Sequence, residues 1–245
     1  MSANEYTYSA TPTKNPFRYA LAVGRFLKSK TNDEIISEVA IIEIGFARSR
    51  LGRRLARWEK TIEHLKNDPR TREAIEVEPV QDPIVLEELE SMPRGTLGSV
   101  FAEHCRNRGI NPNLVQVPLE EESDWLLNHL FQSHDVWHVV TGWANDEVGE
   151  VGLAGFYCGQ LRSPPFFIFL YGLILIKAVV RREHNLDAMI SAFTSGFQAG
   201  RQTHPLFGVV WKDHWLTPLD ELRESFGIDT SEAASFGEGI LAEAA

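Results

Sequence analysis

The sequence predicts an all-α fold, a single-domain helical bundle, and three observations predict it. Apolar residues recur at helical spacing through most of the chain. No stretch sustains the period-two alternation of a half-buried strand, and no linker, repeat or low-complexity tract divides the chain. With 43% hydrophobic and 24% charged residues among 245, the composition is that of a globular protein with one substantial core.

Residues 1–16 are polar, carry Pro12 and Pro16, and read as a flexible N-terminal tail ahead of one helical domain over 17–245. A helix is expected to start near Arg18. After Thr31-Asn32-Asp33 a second capped helix is expected through Ile35, Ile36, Val39, Ile42, Ile44 and Phe46, breaking near Gly52 and resuming through Leu55 and Trp58. Residues 67–82 are mixed and charged, with weak helix resuming through Leu86 and Leu89. Pro93-Arg94-Gly95-Thr96-Leu97-Gly98 reads as a turn into a short helix over 99–107, and Pro112 to Pro118 as a loop. Ser123 suits the N-cap of a helix over 124–141, and Gly142 suits its end. Asn145 or Asp146 can cap the next helix, which Pro164-Pro165 stops. Phe166 to Val180 is apolar apart from Lys177; at about fifteen residues it is short of the ~20 that cross a bilayer as a helix. It predicts a buried helix or one lining an apolar cavity. A helix over Leu186–Gly200 and the amphipathic stretch Leu219–Phe226 complete the pattern.

The formal charge of −10 argues against a nucleic-acid binder held by phosphate contacts, and against nonspecific adhesion to anionic membranes. A local basic patch is compatible with that charge. Arg48, Arg50, Arg53, Arg54 and Arg57 invite a lipid-phosphate role, although a solvated face paired with acids such as Glu59 reads the same way. Cys105 and Cys158 fit no metal knuckle or disulfide framework and read as free thiols of a reducing compartment. The first twenty residues lack the apolar core of a secretory signal and suit a transit peptide poorly, so a cytoplasmic location is expected.

Most of the chemistry lies in His134-Asp135-Val136-Trp137-His138, followed twelve residues later by Glu150. Two histidines four apart on a helix share a face and can reach one metal ion. On the helical wheel His138 falls about +40° from His134, among Leu127, Leu130 and Phe131, and Asp135 about +100°, at the edge of that stripe. Glu150 heads a second apolar stripe with Ala154, Tyr157 and Leu161, and a carboxylate in such company calls for a cation or strong hydrogen bonds. The short connection 142–146 returns the helices antiparallel, with His138 six residues before Ala144 and Glu150 six after, level across the hairpin. His134, Asp135, His138 and Glu150 are therefore the candidate metal residues. Two histidines and a carboxylate suit zinc or non-haem iron. The competing reading is an Asp–His–Glu core network without metal. The second motif position is Asp, whose arm is shorter than the Glu of a metalloprotease, so proteolysis is disfavoured. His104, His129, His184, His204 and His214 lack partners at ligand spacing and read as structural.

These residues resemble a known family pattern: His-Asp-x-x-His, eleven intervening residues, then Glu. It belongs to the coenzyme Q (ubiquinone) biosynthesis family whose best-known member is the fourth Coq protein of mitochondria. Thr141-Gly142, Gly149-Glu150-Val151, Arg94-Gly95-Thr96-Leu97-Gly98, Trp211 and Leu222-Arg223-Glu224-Ser225-Phe226-Gly227-Ile228 also look like the family. The similarity covers about residues 80–228. Lys212 departs from it, since an acidic residue is expected after the tryptophan. An acidic chain without a transit peptide looks like a bacterial homologue, which leaves the quinone open.

The resemblance implies an all-helical protein at the inner face of the membrane. It implies binding of an isoprenoid-tailed aromatic precursor, contact with other quinone-biosynthesis proteins, and metal-dependent oxidative decarboxylation of the ring. The metal would be one divalent ion, zinc or iron, with magnesium or manganese as further options. Asp135 would be the catalytic ligand, brace or proton acceptor. A prenyl tail needs a long apolar cavity, for which Phe156, Tyr157, Phe166, Phe167, Phe169 and Tyr171 are the candidate lining residues. The rival function is a non-catalytic prenyl-lipid-binding scaffold that organises a quinone-biosynthesis complex. The Phe166–Val180 segment is also a candidate homodimer face.

Overall fold

The computed structural model describes residues 8–9, 16–28, 58–77, 82–113, 115–116, 122–162, 164–181 and 185–236. Among the described residues the regular elements are helices, apart from a two-residue parallel pairing of Tyr8–Ser9 with Val115–Gln116 and an isolated bridge between Thr96 and Pro218. In chain order the helices are α1 (Pro16–Phe26), α2 (Trp58–Leu65), α3 (Pro69–Val77), α4 (Leu86–Glu90), α5 (Leu97–Arg108) and α6 (Glu122–Thr141). They continue with α7 (Glu147–Leu161), α8 (Pro164–Arg181), α9 (Leu186–Gln202), a 3₁₀ turn (Trp211–His214), α10 (Leu219–Phe226) and α11 (Ser231–Ala234).

Several expectations shift. The charged segment 67–82 contains α3, whose Thr71 and Ala74 are buried while its charged residues face water. Helix α5 starts at Leu97, two residues early, because the Thr96 hydroxyl accepts the Ser99 N–H and caps it. Helix α6 starts at Glu122, so Ser123 lies within it and is not its N-cap. The 112–118 loop and the 1–16 tail each contribute two residues to the strand pairing. Pro164 opens α8, where a proline's missing N–H costs nothing. The expected second helix through Ile35–Phe46, and the arginines at 48, 50, 53, 54 and 57, lie outside the described residues.

Helices α7 and α9 pack backbone to backbone. A Cβ on Gly196 would collide with the Gly152 carbonyl, and one on Gly200 with the Phe156 carbonyl. Seen from the other side, Gly155 abuts the Phe193 carbonyl and Gly159 that of Phe197. Val151, Ala178 and Met189 join α8 to this pair, and Phe26 of α1 packs on Leu173 of α8. Lys177, the charge interrupting the apolar segment, is buried with its ammonium 5.3 Å from the Phe26 ring centroid and 3.3 Å from Glu147 Oε1. The main core, with Phe101, Trp137, Phe156 and Trp211, holds α6 against its neighbours. No described helix is long and apolar enough to cross a membrane.

Candidate metal centre

The end of α6 and the start of α7 make the site, and the connection between them fixes both. Gly142 stops α6 in the left-handed region at φ 81°, where a side chain would be strained. The Asp146 carboxylate accepts the Gly149 N–H at 2.8 Å and caps α7. Between them, the Trp143 carbonyl accepts a hydrogen bond from His138 Nδ1 at 2.9 Å. A carbonyl oxygen cannot donate, so Nδ1 carries the proton, and Nε2 of neutral His138 is a bare lone pair.

That lone pair faces two further ligand atoms. His138 Nε2 lies 3.3 Å from Glu150 Oε1 and 3.2 Å from His134 Nε2, and His134 Nε2 lies 3.5 Å from Glu150 Oε2. The histidine rings stand at 88° to each other with centroids 4.7 Å apart. His138 is fully buried, whereas the side chains of His134 and Glu150 keep 35% and 37% of their exposure, so the cluster opens on one side. Among the described residues, these three are the group of histidine, cysteine and carboxylate side chains whose ligand atoms all approach within 4.8 Å. Two imidazole nitrogens and a carboxylate oxygen converging at such distances form a donor set that fits a divalent metal. Partial burial disfavours charge on Glu150, but when His138 and His134 are protonated their positive fields and the hydrogen bonds they donate outweigh it and hold its carboxyl well below the usual carboxylate range.

Asp135 flanks this trio and is not one of the three converging residues. Burial pushes its carboxyl up, against the pull of His134 and His138. Tyr157, two turns along the same face of α7 from Glu150, reaches the opposite edge of His134: its hydroxyl is 3.4 Å from Nδ1, and the two rings are parallel within 7°. The Tyr157 ring stacks on Trp137, centroids 4.4 Å apart. Tyr157 was predicted only as lipid lining; its wheel position about −20° from Glu150 carried the signal for a place at the site. Phe156 packs edge-on against Trp137, and Tyr171 of α8 stacks on Phe193 of α9. The side chains of Phe166, Phe167 and Phe169 lie outside the described residues.

The two sequence blocks that flank the motif meet in space. Leu97 N–H donates to the Thr217 carbonyl, Gly98 N–H to that of Trp215 and Leu219 N–H to that of Gly95, each at 2.9 Å. Arg223, buried in α10, donates to the Val140 and Val139 carbonyls at 3.0 and 2.8 Å, closing the C-terminal end of α6 beside His138. Lys212, the departure noted above, pairs at the surface with Asp82, Nζ to Oδ2 2.9 Å.

Comparison with known proteins adds to this geometry. A crystal structure from Nostoc punctiforme superposes with a TM-score of 0.71 at 24% identity, covering 89% of this chain and all of that one, and shares its fold. The mitochondrial ubiquinone biosynthesis protein coq4 of Botryotinia fuckeliana is 26% identical over 144 residues, 58% of this chain and 50% of that protein. The COQ4 homologue of Rattus norvegicus is 24% identical over 174 residues, 68% of this chain and 63% of that protein. The chain spans about half the length of the first curated relatives it matches. The family model described as coenzyme Q (ubiquinone) biosynthesis protein Coq4 matches residues 23–232, and the chain belongs to that family.

Proposed function

We propose that this chain is a metal-dependent enzyme of quinone biosynthesis that oxidatively decarboxylates an aromatic acid carrying an isoprenoid tail. The observation that carries the reading is the convergence of His134, His138 and Glu150 at one open-sided point. Those three residues would hold one divalent ion, zinc or iron, which supplies Lewis acidity and, if iron, a means of using dioxygen. The reaction breaks the ring-to-carboxyl carbon bond, releases carbon dioxide and forms a ring hydroxyl with one atom of dioxygen. The other atom leaves as water, with two electrons and two protons from an external reductant.

The chain's own contributions follow from placement. His138 is locked by the Trp143 carbonyl, and so presents a fixed donor. The exposed edges of His134 and Glu150 leave an approach for the head group. Asp135, beside His134, is assigned the proton transfer at its carboxylate. Ile168, Ile176, Val179 and Val180 of α8 and Ile190 of α9 expose apolar surface that supports contact with the membrane holding such a substrate. Other quinone-biosynthesis proteins are the partners this reading assigns.

The test is metal content of purified protein beside His138→Ala, and release of carbon dioxide from a prenylated 4-hydroxybenzoate with dioxygen, a reductant and each metal in turn. Near-stoichiometric metal lost in the variant, with turnover lost alongside it, is expected. Bound isoprenoid that persists without metal or turnover in either protein would overturn the enzyme in favour of the scaffold.

A further inference from the structure

A metal-binding imidazole has two edges, and the edge away from the metal decides how well the other one binds. The nitrogen that faces away keeps its proton and needs an acceptor, which fixes the ring, selects the tautomer and raises the basicity of the ligating nitrogen. For His138 that acceptor is the Trp143 carbonyl. For His134 the atom at the far edge is a phenol oxygen, Tyr157 Oη, 3.4 Å from Nδ1.

We propose that Tyr157 is the positioning residue of His134: its hydroxyl oxygen accepts a hydrogen bond from Nδ1–H, which keeps the proton on Nδ1 and leaves Nε2 as the lone pair aimed at His138 and Glu150. This rests on the metal-centre reading above. Three features equip Tyr157 for it. The ring is 4% exposed and clamped on Trp137, with interplanar angle 17°, so the hydroxyl is not free to wander. Its ring lies parallel to the His134 ring within 7°, centroids 6.2 Å apart, with the hydroxyl at the Nδ1 edge. Its helix is immobilised by the glycine contacts with α9 at Gly155 and Gly159, one on either side of Tyr157. A carbonyl on one histidine and a phenol on the other make the two ligands unequal, since a hydroxyl can turn to donate while a carbonyl cannot.

The experiment is a cobalt(II) titration of the full chain and Tyr157→Phe, competed against a chelating dye, with proton spectra of the exchangeable imidazole N–H signals in each cobalt-loaded protein. Phenylalanine keeps the ring stacked on Trp137 and removes only the hydroxyl. About tenfold weaker cobalt binding is expected in Tyr157→Phe. One of the two N–H signals should exchange faster with solvent while the other, from His138, is unchanged. Unaltered affinity would overturn the role of Tyr157 while leaving the metal centre standing. Weaker affinity with both N–H signals as in the unsubstituted protein would also overturn it, because the loss would then be one of packing. Failure of the unsubstituted protein to bind cobalt would remove the metal centre and this inference together.

Discussion

The division of labour between His134, Asp135, His138 and Glu150 is set by which atoms have somewhere else to go. His138 Nδ1–H donates to the Trp143 carbonyl, and the Glu150 carboxyl, held below the usual range where the histidines are protonated, offers oxygens to the same point. Asp135 stands outside the converging trio. Asp135→Asn is therefore expected to keep stoichiometric metal and lose carbon dioxide release, whereas Glu150→Gln loses at least about tenfold in metal affinity; metal analysis and turnover on the same two variants check both. Loss of metal from Asp135→Asn would instead make it a ligand. The trio was legible in the sequence because helical period and a short hairpin determine where all three side chains point. Tyr157 was legible in phase but not in role. Its contact with His134 depends on how deeply α6 and α7 interlock, and an aromatic residue in an apolar stripe gives no sign of which polar atom its hydroxyl meets.

At the scale of elements, the two helices of the site are held in different ways. Helix α6 ends on groups from far along the chain: Arg223 is more than eighty residues away and caps the Val139 and Val140 carbonyls. Replacing it by methionine fills similar volume and strands both carbonyls, which is expected to lower stability by about 2 kcal/mol in urea unfolding of the metal-free protein. A change below a few tenths would show the carbonyls are satisfied elsewhere. Helix α7 is held by contact with α9, so Gly196→Ala, which pushes a methyl into the Gly152 carbonyl, is expected to cost about 3 kcal/mol by the same measurement. The ends at Gly142 and Asp146 were readable because caps are local. The remote cap was not, since nothing in a single sequence says that Arg223 is buried, and neither was α3, whose two buried residues make too thin a stripe to stand out among charges.

For the molecule as a whole, the apolar core imposes a pH limit independent of the metal. His129 is buried between Trp125 and Phe207, and its Nε2 accepts the Gly208 N–H at 2.9 Å. Burial lowers its pKa from the ordinary 6.5 to about 4, so the folded protein binds this proton less readily than the unfolded chain. The stabilisation is fully present above pH 6.5 and is lost as the pH falls towards 4, at up to ~1.4 kcal/mol per pH unit for one proton. His129→Gln retains an acceptor for Gly208 and cannot titrate. It is expected to be the less stable protein at pH 7, because its amide N–H groups enter an aromatic pocket, and to close the gap between pH 6.5 and 4. Urea unfolding of both metal-free proteins across that range measures it. A gap that stays constant would mean that His129 is protonated in the fold, and that the core around Trp125 and Phe207 admits water which its packing otherwise excludes.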